Sequence, residues 1–66
     1  MRHFPELTQR QEEVLTLLTA GLSDQQIASH LTISLYTAKN HLKAIYARLA
    51  VNDRCEAIGF YFRRIY

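Results

Sequence analysis

Apolar residues recur along this chain in four runs with the period of an amphipathic helix, and each run follows a side chain suited to capping a helix start. Val14, Leu15, Leu17 and Leu18 predict the inward face of a first helix. Thr8 caps it, Gln11 completes a capping box three residues on, Leu7 takes the staple position, and Gly21 ends it in the left-handed region. Ser23 and Gln26 repeat the box before a two-turn helix whose inward side is Ile27, Ala28 and Leu31. Thr32 and Ile33 make a turn, and Ser34 caps a longer third helix running to about Ala50. Asp53 with Glu56 reads as another capping box, opening a last helix near Arg54. Met1 to Glu6 lacks periodicity and reads as a short lead-in that is mobile at its start, ahead of a domain over residues 7–66.

The third helix divides into three faces when its residues are placed about 100° apart. Ala38, Leu42, Ile45 and Leu49 share one narrow arc, the stripe expected to be buried. Tyr36, Lys39, Asn40, Lys43 and Ala47 fall in the opposite sector, which holds two cations and an amide and no carboxylate. Thr37, His41, Ala44 and Arg48 line a flank between them, with a hydroxyl, an imidazole and a guanidinium suited to phosphate oxygens. A short supporting helix, a tight turn and a longer helix with an open cationic ridge is the layout of a helix-turn-helix that reads DNA. The amides near Leu35 and Tyr36, at the start of that helix, are free to meet a phosphate.

The last run is apolar on too many sides for a surface helix. Cys55, Ala57, Ile58, Phe60, Tyr61, Phe62, Ile65 and Tyr66 surround much of the cylinder. One side is expected to pack on the other three helices and another to meet a second copy of the chain, with Cys55, Ile58, Gly59 and Phe62 at that contact. Gly59, unfavourable in a helix by about 1 kcal/mol relative to Ala, is then explained by close approach of two backbones. Arg63 and Arg64 read as exposed near the chain end. The fold class is all-α, a four-helix bundle with a central helix-turn-helix.

Composition changes this picture little. Sixty-six residues make one small domain in which a single core is marginal, so the 48% hydrophobic content has to be used efficiently or shared with a partner. The net charge of +2 is modest, but its distribution is informative. Arg2 and Arg10 against Glu6, Glu12, Glu13 and Asp24 leave residues 1–31 at −2, whereas Lys39, Lys43, Arg48 and Arg54 against Asp53 leave residues 32–54 at +3. The positive charge sits where a polyanion would be met. One cysteine forms no intrachain disulfide and suits a reducing cytosol, and there is no zinc-type Cys/His spacing and no apolar run of membrane-spanning length. Without a glycine-rich phosphate loop, a nucleophile with its base, or a metal set, an enzymatic role is not expected, nor is a cofactor, a metal or a small-molecule ligand.

These residues together resemble the LuxR-type (GerE-like) helix-turn-helix domain of bacterial transcription regulators, the output domain of many response regulators. The resemblance runs from Leu7 to about Ile65. It is carried by L-T-x-R-x-x-E-V-L-x-L-L at Leu7 to Leu18, G-L-S at Gly21 to Ser23, I-A-x-x-L-x-I-S at Ile27 to Ser34, T-A-K-N-H at Thr37 to His41 and L-A-V-N-D-R-C-E-A at Leu49 to Ala57. It implies four helices, a cytoplasmic location, binding to double-stranded DNA half-sites as a homodimer through the last helix, and control of transcription, with RNA polymerase a further candidate partner. It also implies that Lys39, Asn40 and Lys43 reach base edges in the major groove. Ser34, Tyr36, Thr37, His41, Arg48 and Arg54 are the candidates for the DNA backbone. The chain departs from the family pattern at Gln9 where proline is frequent, Gln11 where glutamate is usual, Ala38 where valine is usual and Ala50 where glycine usually follows the reader helix. A Cβ at Ala50 resists the left-handed conformation, so part of that turn is expected at Asn52.

Two rival readings remain. One is region 4 of a sigma factor, a related helix-turn-helix that binds polymerase. The other is an interaction module that pairs with another regulator through its aromatic last helix.

Overall fold

The computed structural model describes residues 3–66, so the mobile start expected of the lead-in, at Met1 and Arg2, lies outside the described residues. The described residues form four α-helices: α1 (Gln9–Thr19), α2 (Asp24–Leu31), α3 (Leu35–Leu49) and α4 (Arg54–Ile65). The fold is all-α, with α2 and α3 as the helix-turn-helix and α1 and α4 completing the core behind it.

The caps follow from the side chains. At α1 the Gln11 amide donates to Thr8 Oγ1 at 3.1 Å and the Thr8 amide to Gln11 Oε1 at 3.0 Å. At α2 the Gln26 amide donates to Ser23 Oγ at 3.2 Å and the Ser23 amide to Gln26 Oε1 at 2.8 Å. Both boxes are reciprocal, as expected. The start of α4 differs. Asp53 Oδ1 accepts from the Glu56 amide at 2.9 Å, but Glu56 Oε1 reaches one residue further back and accepts from the Asn52 amide at 2.7 Å. The box is therefore displaced by one residue. The staple at α1 is also not formed as a local pair, because its helical counterpart is Glu12; Leu7 instead enters the core at 3% exposure.

Three of the helices stop in the same way. Leu22 donates to the Leu17 carbonyl and Gly21 to that of Leu18; Ile33 to Ala28 and Thr32 to Ser29; Val51 to Tyr46 and Ala50 to Ala47. These paired back-bonds are Schellman endings. The residue just past each one, Leu22, Ile33 or Val51, is half-buried against the core. The left-handed position is held by Gly21 (φ 96°), Thr32 (φ 58°) and Ala50 (φ 57°, ψ 42°). Ala50 thus makes the turn that was expected to fall partly on Asn52: docking Val51 and satisfying two carbonyls outweighs the cost of about 1–2 kcal/mol for a Cβ in that region.

The core takes one stripe from each helix, including Val14, Leu15 and Leu18, Ile27 and Ala28, Ala38, Leu42, Ile45 and Leu49, and Ala57. It also takes Phe4 from the segment before α1. Phe4 is 3% exposed, its amide donates to Glu12 Oε1 at 3.3 Å, and its ring stacks on Tyr61 with centroids 5.5 Å apart. The Arg64 guanidinium lies 5.1 Å from the Phe4 ring centre and 4.6 Å from that of Phe60. It donates to both Glu6 carboxylate oxygens, at 2.9 and 3.0 Å, and to the His3 carbonyl at 3.1 Å. Arg64 is exposed, as expected, yet its guanidinium is engaged in this network, which joins the segment before α1 to the end of α4.

Candidate nucleic-acid interface

Burial of Ala38, Leu42, Ile45 and Leu49 fixes the rotation of α3, and with it what the helix shows to solvent. On the outward side Lys39, Asn40, Lys43 and Ala47 are exposed, and Tyr36 is 75% exposed. Among the described residues neither lysine makes an ion pair. Their charges are uncompensated by direct contact, which is the state that favours a polyanion.

The flank at the start of α3 is built by its cap. Ser34 Oγ accepts from the Thr37 amide at 3.0 Å and donates to Thr37 Oγ1 at 2.9 Å, so the two hydroxyls are held together. Thr37 is half-buried, Ser34 exposed, and His41 half-buried one turn further along. Arg48, at the far end, is exposed and makes only a long contact, 3.5 Å, to the Glu6 carbonyl. It stays available to move outward.

Arg54 is placed differently from the other backbone candidates. Its Nη1 donates to the Leu22 carbonyl at 3.1 Å and its Nη2 pairs with Asp24 Oδ1 at 2.5 Å, which ties the start of α4 to the start of α2. Sequence reasoning missed Asp24. It lines a cleft of about 310 Å³ with Lys39, Leu42, Lys43 and Tyr46. The outward sector of α3 has no carboxylate of its own, yet the fold brings one to its edge. No periodicity along α3 signals this, because Asp24 and Arg54 are 30 residues apart. Burial pushes the Tyr46 phenol above its ordinary pKa, opposed by the charge of Arg54 and assisted by Asp24 and Asp53, so Tyr46 sits in the field of this corner.

Phe62 on α4 is 40% exposed and Tyr66, just past its end, 92%, and their rings stack with centroids 5.8 Å apart. Cys55 is exposed, while Ile58 and Gly59 are half-buried. The space over Gly59 is taken by this chain's own Arg63, whose Nη1 would lie 3.3 Å from an added Cβ. Among the described residues no group of three or more His, Cys, Asp or Glu is arranged to hold a metal, and no helix is long and apolar enough to cross a membrane.

Residues 5–61, nearly the whole helical bundle, match the family described as bacterial regulatory proteins, luxR family. The chain belongs to the LuxR family. Over 57 residues, 86% of its length, this LuxR-family domain is 42% identical to the "Putative HTH-type transcriptional regulator YhjB" of Escherichia coli (strain K12). Over the same share of its length it is 40% identical to the response regulator protein VraR of Staphylococcus aureus (strain NCTC 8325 / PS 47) and of Staphylococcus epidermidis (strain ATCC 35984). It spans 28% of the length of the first and 27% of the others. The matched stretch includes α2, α3 and the Asp24–Arg54 pair.

Proposed function

We propose that this LuxR-family domain binds double-stranded DNA sequence-specifically and so regulates transcription in the cytoplasm, with α3 in the major groove. The observation that carries the reading is the two-sidedness of α3: Lys39, Asn40 and Lys43 stand exposed on one side while Ala38, Leu42, Ile45 and Leu49 are sealed on the other. A helix of 15 residues is about 22 Å long and fits the major groove, which is about 12 Å wide. Lys39 and Lys43 reach guanine acceptors, and Asn40 an adenine edge. Ser34, Tyr36, Thr37, His41 and Arg48 follow the phosphates on either side, assisted by the Leu35 and Tyr36 amides at the start of the helix.

Two copies joined through α4 read an inverted repeat. The exposed Phe62–Tyr66 stack supports α4 as that contact, because the outer faces of the two rings leave apolar surface in water that a second copy would cover. The test is a selection of duplexes from a random pool, repeated at two salt concentrations. Recovery of a common half-site, present twice in inverted orientation and with affinity that falls steeply as salt rises, is expected. Recovery of no common sequence overturns the reading. Stable pairing with another regulator and no salt-dependent DNA binding favours an interaction module instead.

A further inference from the structure

Asp24 lies at the edge of the face that carries Lys39 and Lys43, and lines one cleft with both. A carboxylate there has two effects on an approaching polyanion: it repels phosphate, and it offers each lysine an intramolecular partner that competes with the nucleic acid. Neither lysine takes that partner. The carboxylate is occupied instead by Arg54, which is further anchored on the Leu22 carbonyl, so its guanidinium is turned toward the α1–α2 turn.

The pair is only partly screened by solvent, with side-chain exposures of 40% for Arg54 and 31% for Asp24. It is also built into the framework. Arg54 is the first residue of α4 and Asp24 the first of α2, so both backbones are held by capped helix starts rather than by loops. Little rotamer entropy is needed to keep the contact, in contrast to two long side chains meeting on an open surface.

We propose that Arg54 is a positioning residue for DNA binding that acts through Asp24: by neutralising this carboxylate it leaves Lys39 and Lys43 free for the nucleic acid. The proposal rests on the DNA-reading function above and deepens it. Arg54 does not touch phosphate in this arrangement. Losing it unmasks Asp24, which then draws a lysine inward and repels the DNA backbone.

A charge-cancellation cycle tests this, using the whole chain and a duplex recovered by selection with the unaltered protein. Arg54→Gln weakens binding about fivefold to tenfold and makes the dependence of log K on log salt shallower by about one phosphate contact. Adding Asp24→Asn restores both affinity, to within about threefold, and slope, because the carboxylate is then gone. Asp24→Asn alone leaves binding unchanged or tighter, and it keeps the test decisive if Arg54→Gln fails to fold. Thermal melting of each variant separates folding from binding, since a purely architectural Arg54 would lower the melting temperature of the single and double variants alike without changing the slope of the folded fraction. The proposal is overturned if the double variant binds as weakly as Arg54→Gln, the result for direct phosphate contact, or if Asp24→Asn alone weakens binding. If the unaltered chain binds no duplex in a salt-dependent way, the proposed function itself fails. If it binds and the cycle does not close, only the role of Arg54 does.

Discussion

The Val51 amide donates to the Tyr46 carbonyl at 3.0 Å, and this bond holds Ala50 in the left-handed region. The reader helix therefore ends at a residue whose Cβ opposes the conformation it adopts, in a turn anchored by half-buried Val51.

Ala50→Gly removes that opposition. The gain of about 1–2 kcal/mol from relieving the Cβ is offset by about 0.4–1 kcal/mol from the extra freedom of glycine in the unfolded chain. A net stabilisation of about 0.5–1 kcal/mol is expected, seen as a melting temperature several degrees higher. Ala50→Val, with a branched Cβ, moves it the other way. An unchanged or lower melting temperature for Ala50→Gly would show that the turn is not strained.

Lys43 is exposed and makes no ion pair among the described residues, so truncating it leaves the melting temperature nearly unchanged. Lys43→Ala should weaken binding to the selected duplex by about 1–3 kcal/mol and relax the base preference at one or two positions. Titration of wild type and variant against matched and single-mismatch duplexes measures both.

Gly59 separates a helix effect from an interface effect. An added methyl meets only the mobile end of Arg63, which can shift, and helix propensity favours Ala over Gly by about 1 kcal/mol. Gly59→Ala should therefore raise the stability of the monomer. If two α4 helices approach closely there, the same change weakens self-association. Sedimentation equilibrium and thermal melting, measured on the same variant, should move in opposite directions.

Phe4 belongs energetically to the core although it precedes the first helix. Phe4→Ala should cost about 3 kcal/mol or more, the usual range for a buried aromatic, a large share of the stability of a domain this small. Denaturant unfolding reads it directly. A loss below about 1 kcal/mol would mean that the segment before α1 does not hold Phe4 in the core in solution.

The Glu6 carboxyl is held below its ordinary pKa of 4.5, first by a backbone hydrogen bond, which burial next opposes, with the hydrogen bond and charge of Arg64 adding smaller lowering effects. The folded state then binds that proton less readily than the unfolded chain, so the contribution is fully present above about pH 4.5 and is lost as pH falls through the depressed folded value. Glu6→Gln should lower the melting temperature slightly at pH 7, and the difference from wild type should shrink as the pH is taken from 5 to 3. The effect is small because the pair is a third exposed.

The features legible in the sequence were those set by neighbours within a turn or two. The buried stripe of α3, the boxes at Thr8 and Ser23 and the exposure of Lys39, Asn40 and Lys43 depend on spacings of three, four and seven residues, which the helix itself imposes. The motifs from Leu7 to Ala57 were equally direct, and carried the family as well as the fold. Features that depend on packing were not legible. The lead-in has no periodicity, because Phe4 is held by Glu12, Tyr61 and Arg64 rather than by its neighbours in sequence. The left-handed Ala50 is decided by the docking of Val51 against its own intrinsic preference.

By itself, then, the chain determined four helices, their N-caps and the direction in which the cationic ridge faces, since periodic burial leaves each amphipathic helix one favourable rotation. Only the tertiary structure decided that Asp24 comes to the edge of that ridge and that Arg54 is spent on it. Those two residues are 30 positions apart, and they meet because α2 and α4 are each packed on α1 and α3, which no local spacing encodes.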